Sequence, residues 1–183
     1  MHRYYRVMTR LADLGPRICI FGPSNSGKST LAVAIGTARK LPVIHLDQLY
    51  HLPQTNWVPR PSDEFGQLHD TAIAGDNWVI DGNYSRLIPL RLGHATGVIR
   101  LECPTMISLG RYFRRSWFDR HRRGAIVGGR DPVNWPMLWH IAVVVRRNRG
   151  RDLAQFDSVD LPKIRLSTAR DVAALYRTEG LER

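Results

Sequence analysis

Residues Gly22-Pro23-Ser24-Asn25-Ser26-Gly27-Lys28-Ser29 fit the pattern G-x-x-x-x-G-K-[ST] and stand between two segments of different periodicity. Ahead of them, Arg17-Ile18-Cys19-Ile20-Phe21 is a short apolar run that reads as a buried strand. Behind them, Leu31, Ala34, Ile35 and Ala38 fall at i, i+3, i+4 and i+7, the stripe of an amphipathic helix. A glycine-serine linker has no reason to join a strand to a helix, so the pattern predicts a strand–loop–helix unit that grips phosphate. Gly22 and Gly27 let successive amides face one concavity, and Lys28 is placed for the β and γ phosphates of a nucleoside triphosphate. Ser29 offers a hydroxyl to magnesium, and the helix start directs its positive dipole end at the same anion. The expected nucleotide-binding set is therefore Gly22, Pro23, Ser24, Asn25, Ser26, Gly27, Lys28, Ser29 and Thr30.

At 183 residues the chain reads as a single domain, 1–183, with a sizeable core. Its 43% hydrophobic and 23% charged content are ordinary for a globular protein, and its apolar runs fall short of the ~20 residues that span a bilayer. Residues 1–14 carry Tyr4, Val7, Leu11 and Leu14 near helical spacing, without an apolar signal core, and read as an N-terminal packing helix rather than an address. Cys19 and Cys103 lie in or beside predicted strands with no paired spacing, and read as core thiols of a cytoplasmic protein. The net charge of +11 is concentrated: eleven arginines lie between Arg111 and Arg151, opposed within that stretch only by Asp119 and Asp131. Nucleotide phosphates, a nucleic-acid backbone and a plain solvated face all suit such a segment.

Strand and helix signals alternate along the rest. Val43-Ile44-His45-Leu46 reads as a second strand ending at Asp47, followed by a proline- and aromatic-rich loop and a helix marked by Phe65, Leu68 and Ala72. Trp78-Val79-Ile80 ends at Asp81, and Gly97–Leu101 ends at Glu102. Three strands ending in an acid place those acids at the carboxyl edge, where open parallel sheets bind ligands. A helix with Met106, Leu109 and Phe113, a glycine-arginine flap from Arg122 to Arg130, and an apolar helix from Trp135 to Val145 come next. A short strand, Lys163–Leu166, and a helix capped by Ser167 or Thr168 close the chain.

The phosphate loop together with His45-Leu46-Asp47-Gln48-Leu49-Tyr50, Trp57 and Val79-Ile80-Asp81-Gly82-Asn83-Tyr84-Ser85-Arg86 resembles the FlaR-type proteins, labelled DNA topology modulation proteins and related to adenylate kinase. The resemblance runs from about residue 17 to residue 176. It implies a P-loop NTPase fold, α/β in three layers, with five parallel strands in the order 2-3-1-4-5 and a small arginine-rich lid at about 116–135. By the same resemblance, Arg86 corresponds to the acceptor-phosphate arginine, although the Asp81–Arg86 stretch is one residue longer than in adenylate kinases. Arg111 and Arg115 match the pair that bridges donor and acceptor phosphates. Glu102-Cys103-Pro104-Thr105 and Arg130-Asp131-Pro132-Val133 depart from the family's Asp-x-Pro-Arg and Arg-Pro-Asp-Met.

Read as a kinase, the chain would place Lys28 and the loop amides on ATP and hold magnesium with Ser29 and Asp81, while Arg111, Arg115 and lid arginines Arg122, Arg123 or Arg130 close over the transferring group. Asp47 would orient or deprotonate a hydroxyl acceptor, or else cap the following turn; a phosphate acceptor needs no base and gives Arg86 the larger part. Tyr50, Trp57 and Tyr84 either line a small-molecule acceptor pocket or cover the sheet edge. His45 reads as a packed core histidine. No Asn-Lys-x-Asp stretch for guanine is present, which favours adenine. The rival reading is a nucleic-acid-associated NTP-binding protein that works through the arginine segment.

Overall fold

The computed structural model of the chain describes residues 9–55, 57–118 and 145–182. Strands β1 (Arg17–Phe21), β2 (Val43–His45), β3 (Trp78–Asp81), β4 (Gly97–Leu101) and β5 (Lys163–Leu166) form one sheet in the order β2-β3-β1-β4-β5. Every neighbouring pair is parallel, so each connection must cross over, and helices make the crossovers. They are α1 (Lys28–Arg39), α2 (Leu46–Tyr50), α3 (Ser62–Ile73), α4 (Ile88–His94), α5 (Thr105–Phe118) and α6 (Val145–Ser158), while α7 (Ala169–Thr178) follows β5.

Alternation along β1 explains why both faces are covered. Ile18 and Ile20 pack with Leu31, Ala32 and Ile35 of α1 and Leu175 and Tyr176 of α7. Cys19 and Phe21 pack on the other face with Leu46, Ile73, Ile88 and Phe156. A strand buried on both sides has to be apolar throughout, as Ile18–Phe21 is. The chain runs outward from β1 to β2, returns through β3, and then crosses to β4 on the other side of β1. This reversal opens the crevice at the carboxyl edge where the phosphate loop leaves β1.

Several local expectations shift. β2 stops at His45, and Leu46, fully buried, starts α2 instead of prolonging the strand. The proline-rich segment after α2 folds into a small excursion closed by Leu52 N–H to the Val58 carbonyl (2.9 Å), Arg60 N–H to the Tyr50 carbonyl (2.8 Å) and an antiparallel His51–Pro59 bridge. Thr168, not Ser167, caps α7, its hydroxyl accepting from Asp171 N–H in a reciprocal capping box. α4 and the polar α6 carried no clear sequence signal. Of the N-terminal helix, residues 1–8 lie outside the described residues, and Leu11–Leu14 form a 3-10 turn. The flap at 122–130, the lid beyond residue 118 and the apolar helix before Val145 also lie outside the described residues.

Both cysteines are free thiols. Burial pushes the Cys19 thiol up to about 12, with Arg91 opposing the shift, whereas Cys103 lies just past β4 and is only partly buried. No helix among the described residues is long and apolar enough to cross a membrane.

Candidate active site

The phosphate loop is a backbone structure first. Gly22 adopts φ 149°, and a Cβ there would come within 2.5 Å of the Leu101 carbonyl oxygen at the end of β4, so no other residue fits without displacing a strand. Ser26 N–H turns back to the Pro23 carbonyl at 3.3 Å, and Leu31 N–H closes the first turn of α1 onto the Gly27 carbonyl at 3.0 Å. α1 begins at Lys28, so its opening amides and dipole face the loop's concavity. Lys28 Nζ donates to the Pro23 carbonyl at 2.7 Å, folding the ammonium over the loop. Two neighbours hold the loop from outside: buried Ser108 on α5 donates to the Ser24 carbonyl at 2.5 Å, and Asn83 Oδ1 accepts from Gly22 N–H at 3.2 Å.

Asp81, 5% exposed at the end of β3, is held at both carboxylate oxygens. Ser29 Oγ donates to Oδ2 at 2.6 Å, and His45 Nδ1 lies 2.5 Å from Oδ1. His45, expected as a packed core histidine, is nearly buried and in addition holds Asp81. β2 and β3 pair with His45 beside Asp81, and in-register parallel partners present their side chains to the same face, so the last residue of β2 reaches the acid of β3. A hydroxyl and a carboxylate are hard oxygen donors that suit magnesium. Among the described residues no group of three or more His, Cys, Asp or Glu converges into a metal cage.

Asp47 lies in the first turn of α2, and its side chain does not cap that helix. Its Oδ1 accepts from the Tyr84 hydroxyl at 2.8 Å, and Oδ2 has no hydrogen-bond partner among the described residues. Burial, reinforced by the Asp47 carboxylate, pushes the Tyr84 phenol far up, so the phenol remains the donor throughout the working pH range. Tyr84 itself takes φ 38°, an uncommon conformation for a non-glycine residue. Its ring packs 5.0 Å from Tyr50 and 5.1 Å from Phe65, while Trp57 stacks edge-on against His51 at 5.0 Å. The three expected pocket aromatics thus pack into a wall beside Asp47 instead of standing free.

Arg86 is exposed in the 3-10 turn Ser85–Leu87 and donates to Ser62 Oγ at 3.1 Å, at the start of α3. Glu102, the third strand-end acid, is committed to Arg165 Nε at 2.5 Å. Arg111 and Arg115 lie four residues apart on α5, and their side chains are outside the described set, while Arg122, Arg123 and Arg130 lie outside the described residues altogether. The structure adds three residues that sequence reasoning missed: Asn83, Ser108 and Arg91. A lone arginine inside Ile88-Pro89-Leu90-Arg91-Leu92 was a usable signal, because a charge in an apolar helix is either exposed or committed.

No protein-family model and no curated protein matches the chain. Among solved structures it is similar to a gluconokinase from Sinorhizobium meliloti, with TM-score 0.54 and 17% identity over 91% of this chain and 90% of that one. It is also similar to a shikimate kinase from Acinetobacter baumannii in complex with shikimate, with TM-score 0.53 and 13% identity over 91% and 92% of the two chains. The likeness is one of fold: a phosphate loop at the carboxyl edge of a five-stranded parallel sheet in the order 2-3-1-4-5, with helices on both faces.

Proposed function

We propose that the protein is an ATP-dependent phosphotransferase that moves the γ-phosphoryl group of ATP to a hydroxyl of a small metabolite. The observation that carries this reading is the Asp47 carboxylate, fixed at one oxygen by Tyr84 and without a partner at the other among the described residues, on the same sheet edge as the phosphate loop. A phosphate acceptor would ask for a cation at that place. The arginine expected to supply it, Arg86, is turned to Ser62 instead. Both kinases of similar fold are named for hydroxylated small acids, which agrees with the class of acceptor.

In this reading Lys28 and the loop amides bind the β and γ phosphates, and Ser29 and Asp81 hold magnesium, with His45 fixing the carboxylate. Magnesium, when bound, offsets the charge of the phosphate oxygens. Asp47 Oδ2 accepts the acceptor's hydroxyl proton as its oxygen bonds to the γ-phosphorus; the bond from that phosphorus to the β–γ bridging oxygen breaks and ADP leaves with the electron pair. Arg111 and Arg115, by their place on α5, are the candidates to neutralise the group in flight.

The test is a coupled ADP-release screen of hydroxylated metabolites against nucleoside monophosphates, with Lys28→Ala and Asp47→Asn as controls. Turnover with a hydroxyl compound that both substitutions remove is the expected result. Turnover confined to nucleoside monophosphates and indifferent to Asp47→Asn would overturn the assigned acceptor, and the absence of any ATP or ADP binding would overturn the reaction.

A further inference from the structure

Arg91, on α4, has no exposed surface. No carboxylate among the described residues pairs with it, and its Nε has no hydrogen-bond partner there. Its guanidinium lies 5.5 Å from the centroid of the Phe21 ring. Burying a cation this way costs stability, and an apolar side chain of similar size would fill the space at less cost. What the guanidinium does is hold one turn: Nη1 donates to the Gly82 carbonyl at 3.1 Å, and Nη2 donates to the Asn83 carbonyl.

That turn needs holding. Gly82 has φ 127°, with Leu46 Cβ 2.9 Å from where its own Cβ would stand, and Tyr84 has φ 38°. Gly82 takes its positive φ freely, but the left-handed Tyr84 persists only where the surroundings over-determine it. From the same turn two side chains leave in different directions. Asn83 takes the Gly22 N–H of the phosphate loop at 3.2 Å, and Tyr84 takes the Asp47 carboxylate at 2.8 Å.

We propose that Arg91 is a positioning residue for the transfer: by fixing the Gly82–Asn83 carbonyls it sets the phosphate loop through Asn83 and the acceptor-side acid through Tyr84. The role in transfer rests on the phosphotransferase reading, whereas the relay itself is a property of the fold. One buried side chain thereby ties the placement of the donor to that of the acceptor's proton acceptor.

The test compares the full chain with Asn83→Ala, Arg91→Met, Arg91→Lys and the Asn83→Ala/Arg91→Met double variant, reading ADP-magnesium affinity by calorimetry and the Gly22 amide resonance by NMR. Asn83 is exposed, so its replacement leaves the core alone. Asn83→Ala is expected to shift the Gly22 resonance and weaken ADP roughly three- to tenfold, the effect of one hydrogen bond. Arg91→Met should move Gly22 in the same direction and weaken ADP at least as much, and the double variant should be no weaker than Arg91→Met alone, because both act through one connection. Arg91→Lys, which keeps the charge but loses the fork, should fall between. A lower melting temperature in Arg91→Met with wild-type ADP affinity and an unmoved Gly22 would make Arg91 merely structural and overturn the proposal. Should Arg91→Met fail to fold, wild-type affinity and resonance in both Arg91→Lys and Asn83→Ala overturn it equally. A wild-type protein that binds no ADP overturns the assigned reaction, and Arg91's part in it, while a coupled Gly22 shift would still establish the relay.

Discussion

Around the phosphate loop the polar groups are backbone amides and carbonyls fixed by a turn and a helix start, whereas around Asp47 they are side chains, each held by another. The proposed donor side is built by Gly22, the Pro23 carbonyl and the opening of α1. The proposed acceptor side is built by Asp47, Tyr84 and an aromatic wall of Tyr50 and Phe65. Backbone sites tolerate no extra atom but bind any partner of the right charge. Side-chain sites can be retuned one residue at a time, so the donor side should govern nucleotide affinity and the acceptor side turnover.

Substitutions can break that division. The largest effect is expected for Lys28→Ala, which should lower kcat/KM for ATP by at least about a hundredfold through loss of charge at the transferring group. Asp47→Asn should cost a comparable factor, about a hundredfold in kcat, while ADP affinity by calorimetry stays at the wild-type value. An equal loss of ADP affinity in Asp47→Asn would erase the distinction between the two sides. Gly22→Ala should destabilise the chain by about 2 kcal/mol in urea titrations, because the new methyl meets the Leu101 carbonyl at a positive φ. Tyr84→Phe removes one hydrogen bond to a charged acceptor and should lower kcat roughly tenfold with no change in ADP affinity.

The smallest effect concerns pH and sharpens the comparison. His69 of α3 is fully buried, and burial lowers its pKa despite the opposing hydrogen bond that its ring donates to Asp70. As pH falls through about 6.5, the ordinary value for histidine, the unfolded chain takes up a proton that the native ring refuses. Stability is therefore expected to fall on acidification through that value and to level off below the folded pKa. Melting curves between pH 7.5 and 5.5 check this, and His69→Leu should flatten the slope. Hydrogen exchange should show α3 loosening before α1 does.

What was legible in the sequence follows the same line. The phosphate loop could be read because its chemistry is local: eight consecutive residues specify the turn, the lysine and the hydroxyl. β1, β3 and β4 could be read because strands buried on both faces must be largely apolar, and β5 because buried Ile164 and Leu166 alternate with exposed Arg165. The bond from His45 to Asp81 is not legible because the two are 36 positions apart and adjacent only through strand register. Arg91 was passed over because a single arginine in a helix ordinarily snorkels to water, and only tertiary packing turns this one inward. α6 was missed for the opposite reason: Val145-Arg146-Arg147-Asn148-Arg149 carries little apolar periodicity, and of its described side chains only Phe156 is buried.

The contrast between the two cysteines gives the protein a built-in reporter. Cys19 is sealed in the core with its thiol held protonated, so thiol-directed dyes have one reachable sulfur in the native state, that of Cys103. It stands between β4, whose Leu101 carbonyl abuts Gly22, and α5, whose Ser108 grips the loop. A fluorophore attached there without any change to the sequence would report on whether a nucleotide enters the loop.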